Sequence, residues 1–208
     1  PTQEIYEEIR RLNNDYDKQV ENSKPVYASF GSIAASGGYY IGSAARKIYT
    51  NAGTITGSIG VIMQFANLAK LYEWAMIKPE VIKSGEYKDF GNPHRGLTAQ
   101  ERAMLETTSD DVHAQFREDI LAVRKDRLKK PIEELAQGQI YSGREALNLG
   151  LVDEIAGLYE AGRRIHSELK LEGEFGFKFI KERKKTSLLE LAQSLEEARL
   201  SLKTIRLW

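Results

Sequence analysis

The chain has 208 residues, 41% hydrophobic and 29% charged, with 30 Lys and Arg against 30 Asp and Glu. That length can bury a sizeable core, and the balanced charge gives no overall field for nucleic acid or an acidic partner. The absence of cysteine excludes disulfides and thiolate metal sites, and no apolar run approaches the roughly 18–20 residues of a membrane span.

In chain order, Pro1-Thr2-Gln3-Glu4 reads as the entry to a helix over residues 2–22, with Ile5, Ile9, Leu12, Tyr16 and Val20 near helical spacing. "VYASFGSI", rich in β-branched and aromatic residues, predicts one buried strand. A short helix follows from Gly37 to about Arg46, then "KIYT" as a strand closed by the turn "NAG" and "SIGVIM" as another strand. Asn67 to Met76 reads as a helix and "PEVIKSG" as a strand. Residues 84–97, "SGEYKDFGNPHRGL", form a long loop, and long loops inside compact domains are more often functional than linkers.

Thr98-Ala99-Gln100-Glu101 has the pattern of a capping box opening a helix to about Lys129, with Met104, Leu105, Val112, Phe116, Ile120 and Val123 along its apolar stripe. "PIEELAQG" is a short helix, Ser142 caps another, and after "LGLVDEI" a further helix runs to about Leu171. The alternation of helices and strands is that of an α/β protein with crossover connections. The end of the chain differs: the basic run "KFIKERKK" precedes Leu188, Leu191, Leu195, Ala198, Leu202 and Ile205 at helical spacing. This predicts an amphipathic helix that docks on a core, a partner subunit or a membrane surface.

Candidate chemistry is narrowed by what is missing. His94, His113 and His166 match no metal-ligand spacing. "GTITGSIG" lacks the lysine and spacing of a phosphate-binding loop. No metal, cofactor or nucleic-acid partner is therefore expected. Of the three histidines, His94 alone falls in a predicted loop, so a Ser-His pair is one option for nucleophilic catalysis. A lysine is another: free in water it is deprotonated only about once in 2,500 at pH 7, but burial brings it into the working range. Lys83 and Lys88, in "IKSGEYKDFGNP", both qualify. The nucleophile candidate is Ser36 in "GSIAASGGYY". A strand, a serine, two glycines and a helix can lift a hydroxyl beside free backbone N–H groups. The flanks do not match the G-x-S-x-G elbow, and on the residues alone Ser36 reads first as a plain helix cap.

"ASGGYYIGSAARKIYTNAGTITGSIGVI", "KSGEYKDFGNPHR" and "GQIYSGREALNLGLVDEIAG" together closely resemble the signal peptide peptidase A family. These are serine peptidases of the Clp protease/crotonase fold with a Ser-Lys dyad, and the resemblance covers roughly residues 1–165. It implies an α/β fold of repeated β-β-α units, truncated at its N-terminus. A peptidase domain would occupy 1–177, and the basic segment and helix 178–208. By the same resemblance the nucleophile falls on Ser36, the general base on Lys88 rather than Lys83, and the lysine-orienting hydroxyl on Ser58. The resemblance also implies the N–H of Gly37 as one oxyanion donor. The implied reaction is peptide hydrolysis through an acyl-enzyme, on cleaved signal peptides or other apolar peptides. The family also implies an N-terminal membrane anchor, a catalytic domain on the extracytoplasmic side of the cell membrane, and assembly into a homo-oligomeric ring. Family members carry a Ser-Pro-Gly-Gly segment, supplying a second oxyanion N–H, before the helix that opens this chain. Its absence here makes a fragment of an active parent the expectation. The alternative is a non-catalytic scaffold subunit of the same fold.

Overall fold

The computed structural model describes residues 2–180, and the amphipathic helix expected after residue 187 lies outside them. Two compact units divide the chain, Pro1–Leu171 and Glu172–Trp208. In the second, residues 172–180 carry no helix or strand; Phe177 meets Phe175 and Phe179 ring to ring at 5.0 and 5.7 Å.

The first unit is mixed α/β. It runs α1 (Thr2–Asp17), β1 (Ala28–Phe30), β2 (Ile33–Ala35), α2 (Gly37–Ser43), β3 (Ile48–Thr50), β4 (Ile55–Gly57) and α3 (Ala69–Trp74). Then come α4 (Ala99–Arg124), α5 (Ile132–Leu135), β5 (Ile140–Ser142), α6 (Gly143–Asn148), β6 (Glu154–Ile155) and α7 (Leu158–Glu168). A β-β-α unit thus occurs twice, as β1-β2-α2 and β3-β4-α3. Each strand pair splits between two three-stranded sheets, ordered β1-β3-β6 and β2-β4-β5. The expected single strand over "VYASFGSI" is therefore two strands, broken at Gly31-Ser32 where the chain changes sheets. The pairings are parallel except β4 with β5, because the crossovers return each strand in the same direction.

The helix α1 ends at Asp17, five residues before the expected end, and its buried face is not the expected stripe. Tyr6 and Asn13 are buried while Ile5 and Val20 are exposed. Asn13 can be buried because both ends of its amide are bonded: Nδ2 donates to the Ala44 carbonyl at 3.1 Å, and Oδ1 accepts from the Val26 N–H at 2.8 Å. The helix α4 begins as expected. Thr98 Oγ1 accepts from the Glu101 N–H, and the Glu101 carboxylate accepts from the Thr98 N–H. Its second half supplies the core residues Phe116 and Ile120, whereas Met104 and Val112 of the expected stripe are exposed.

Two expected strands are not formed. Residues 58–63 and 79–85 carry no strand, and Ile62 and Ile82 are 78% and 102% exposed. Backbone bonds meet the start of the first run, from the Ser58 N–H to the Gln139 carbonyl at 2.6 Å and from the Gly138 N–H to the Ile59 carbonyl at 3.0 Å. But a β-branched run becomes a strand only where a neighbouring backbone continues the ladder, and among the described residues neither run has a strand beside it.

The short helix α2 is held from several sides. Tyr40 stacks on Phe116 at 4.3 Å and meets Tyr6 edge-on at 5.2 Å. The Tyr40 hydroxyl donates to the Asp119 carboxylate, and the Tyr39 hydroxyl donates to the Leu151 carbonyl at 2.9 Å. Gly42 lies so close to Phe30 that a Cβ there would stand 2.3 Å from the ring. Further along, Arg124, 1% exposed, donates to both Asp153 oxygens at 3.1 Å and to the Gly150 carbonyl at 3.0 Å. Asp153 also accepts from the Ile48 N–H at 2.8 Å, joining the end of α4 to the start of β3.

Candidate active site

Parallel pairing of β2 with β4 places Ala35 opposite Gly57. The next residues, Ser36 and Ser58, therefore leave neighbouring strand ends side by side, and the Ser36 N–H donates to the Gly57 carbonyl at 2.8 Å. Both serines have left-handed backbones, with φ 52° at Ser36 and 50° at Ser58. Ser36 combines that φ with ψ −120°. L-residues rarely adopt this region, at a cost of about 1–3 kcal/mol, and such strain gathers at functional positions. It points Ser36 away from the cap role that its residue type and position favoured. Ser36 precedes α2, yet its side chain makes no capping hydrogen bond; it is exposed, and Ser58 is half-buried.

Gly37 begins α2, so its N–H belongs to the first helical turn, where no intrahelical carbonyl is available. A Cβ on Gly37 would sit 3.5 Å from Thr2 Oγ1, so the start of α1 closes one side of this turn. Nothing lies within 4 Å of a Cβ placed on Gly38.

The two lysines differ in what surrounds them. Lys83 Nζ donates to Asp89 Oδ1 and to the Glu86 carbonyl, both at 2.7 Å. Lys88 is exposed, and among the described residues its Nζ makes no hydrogen bond or ion pair, with Ser36, Ser58 or any other group. The structure thus brings Ser36, Ser58 and Gly37 together at one strand-to-helix corner, with Lys88 free on its loop. The backbone N–H of His94, the loop histidine, donates to Asn92 Oδ1 at 3.4 Å, and the side chain makes no bond to Ser36.

The loop itself is ordered by tight turns. Lys88, Phe90, Asn92 and Arg95 each donate their N–H to the carbonyl three residues back. The Pro93 carbonyl accepts from the Leu68 N–H at 2.7 Å, and Phe65 meets Phe90 with ring centroids 6.5 Å apart. Gly91, at φ +73°, is approached so closely that a Cβ would stand 2.5 Å from the Phe65 ring. A chain of charges that the motif reading missed runs through the loop. Arg95 donates to Asp89 from Nε at 3.2 Å and Nη2 at 3.0 Å, and to Glu101 from Nη2 at 2.6 Å and Nη1 at 2.8 Å. The Arg95 and Lys83 hydrogen bonds hold the Asp89 carboxyl well below the usual carboxylate range. Glu101 is lowered to about 2, first by Arg95 and then by the Thr98 N–H. The sequence signal was available: opposite charges alternate every six residues at 83, 89, 95 and 101.

Residues 18–172 match the family description Peptidase family S49. A Synechocystis sp. protein named as a protease is 42% identical over 154 residues, 74% of this chain and 52% of that protein. The chloroplastic serine protease SPPA of Arabidopsis thaliana is 38% identical over 145 residues, 69% of this chain and 21% of that protein. The chain therefore spans about half of the first relative and about a fifth of the second. Among solved structures, an enoyl-CoA hydratase/isomerase family protein from Hyphomonas neptunium aligns with a TM-score of 0.37 and 19% identity, over 74% of this chain and 42% of that one. That likeness is too slight to say anything of the site. The match over residues 18–172 spans both serines, the loop and the turn before β6, and places the chain in peptidase family S49.

Proposed function

We propose that this chain is the catalytic part of a serine peptidase in which Ser36 is the nucleophile and Lys88 the general base. Ser36 Oγ attacks the scissile carbonyl while a neutral Lys88 Nζ takes its proton. The C–N bond then breaks, the proton passes to the leaving amine, and an acyl-enzyme remains. Water, giving its proton to Lys88, releases the acid and restores Ser36. The Ser58 hydroxyl holds the Lys88 amine toward Ser36, and the Gly37 N–H donates to the oxyanion.

The observation that carries this reading is the backbone of Ser36, strained at φ 52° and ψ −120° with its hydroxyl unused by the helix it precedes. Ser58 on the neighbouring strand end supports it, as does the commitment of Lys83 to Asp89, which leaves Lys88 as the uncommitted amine of the loop. With its turn held in place, Lys88 reaches a Ser36 when a neighbouring copy presents it.

Apolar, extended peptides such as cleaved signal peptides suit an open corner beside small residues and strand ends. A homo-oligomer held at the cell membrane, with this part on the extracytoplasmic side, completes the proposal. The exposed apolar residues Ile62, Trp74, Met76 and Ile82 are in keeping with assembly. A non-catalytic scaffold is the second reading, and the exposure of Lys88 with no bond to Ser36 is what favours it. Cleavage of a fluorogenic apolar peptide by the full-length protein separates the two. The peptidase cleaves and loses cleavage in Ser36→Ala; a scaffold shows no turnover that depends on Ser36.

A further inference from the structure

We propose that Arg95 is a positioning residue for the catalytic loop: it anchors the Lys88-bearing turn to the capped start of α4. This rests on the reading of Lys88 as the general base.

The turn containing Lys88 has no regular element of its own, so its position depends on what holds its neighbours. Asp89, the next residue, is the attachment point. Its carboxylate accepts from Arg95 on both oxygens and from Lys83 on Oδ1, and only 10% of its side chain is exposed. Arg95 in turn sits on Glu101 with both terminal nitrogens, at 2.6 and 2.8 Å, and Glu101 is 2% exposed. Glu101 belongs to the first turn of α4 and is fixed by its reciprocal bonds with Thr98. Arg95 also donates to the Gly96 carbonyl at 3.0 Å.

The guanidinium is therefore a rigid bridge between a buried carboxylate on a helix and a loop carboxylate one residue from the base. A planar fork grips two carboxylates in fixed geometry, which a lysine ammonium cannot reproduce. A surface ion pair alone would contribute little. What sets this one apart is that Glu101 is buried, doubly bonded and part of the longest helix of the first unit.

The bridge locates Lys88 without touching substrate, so its loss reads out on turnover more than on binding. Misplacing a catalytic group by about 1 Å costs on the order of 100-fold in rate. Steady-state cleavage of a fluorogenic apolar peptide by the full-length protein tests this, with Ser36→Ala and Lys88→Ala as references. Arg95→Gln should lower kcat about 10- to 100-fold with KM little changed, and Arg95→Lys should recover part of the loss. Asp89→Ala leaves Arg95 on Glu101 and the α4 cap intact. It should lower kcat similarly while the protein stays folded, melting below the parent but above Arg95→Gln, which keeps the test decisive even if Arg95→Gln folds poorly. Parental kcat in Asp89→Ala, alongside an inactive Lys88→Ala, would overturn the positioning role and leave the dyad standing. Parental kcat in Lys88→Ala would overturn both.

Discussion

Ser36 is the residue at which sequence and geometry meet most closely. Its small neighbours already pointed to an unobstructed hydroxyl, while the capping alternative stayed open because cap and nucleophile share the same residue types before a helix. The backbone resolves what residue type leaves undecided: the hydroxyl does not cap α2, and φ 52° with ψ −120° suits glycine better than serine. Removing the strain gains about 1–3 kcal/mol, against about 0.5–1 kcal/mol for the extra chain entropy of glycine. Ser36→Gly should therefore melt a few degrees above the parent, and Ser36→Ala close to it, with activity abolished in both. A Ser36→Gly protein that melts below Ser36→Ala would show that the conformation is not strained. The choice between Lys83 and Lys88 was not legible from composition, since both lie in the same small-residue loop; what separates them is Asp89, bonded to Lys83, a pairing visible only as the six-residue charge alternation at 83, 89, 95 and 101.

Among the elements, α4 was the most legible because its start carries a local chemical code. Thr98→Ala should cost about 1 kcal/mol, measured by denaturant unfolding; an unchanged midpoint would mean that the reciprocal bond adds nothing. The same corner makes the fold acid-sensitive. Asp89 and Glu101 have folded pKa values below their ordinary 3.8 and 4.5, Glu101 at about 2. As pH falls the unfolded chain binds protons first, so their contribution is complete above about pH 4.5 and is lost progressively toward pH 2. Thermal melts at pH 7, 4 and 2.5 should show that loss in the parent and a shallower one in Arg95→Gln. At the far end of α4, Asp153→Ala leaves Arg124 buried without its carboxylate and should cost about 3–5 kcal/mol, read by denaturant unfolding; a loss below about 1 kcal/mol would show that the pair behaves as a surface pair. The strands were the least legible. "VYASFGSI" has the composition of one strand, but the sheet change at Gly31-Ser32 is a tertiary event without a periodic signature. "SIGVIM" and "PEVIKSG" have strand composition and, among the described residues, no strand partner. In α1 the apolar stripe misled because a hydrogen-bonded Asn13 and an offset Tyr6, not Ile5 and Val20, face the core.

Across the first unit, two small sheets sharing split strand pairs bring the ends of β2 and β4 together, and with them Ser36, Ser58 and Gly37. Sequence motifs linked these residues only through a family resemblance, and the match to peptidase family S49 now places the chain in a family of peptidases. Long-range pairing is what local reading lacks: Ser36 and Ser58 are neighbours because Ala35 lies opposite Gly57, a register set by the crossover through α2. The central claim is that Ser36 and Lys88 act as one catalytic unit. The most direct measurement is peptide cleavage by the full-length protein against its Ser36→Ala and Lys88→Ala variants, each shown to be folded. Each substitution should lower kcat by about 1,000-fold or more, and the double variant should be scarcely slower than either single one, as for residues acting together. Cleavage at the parental rate in both single variants would contradict it.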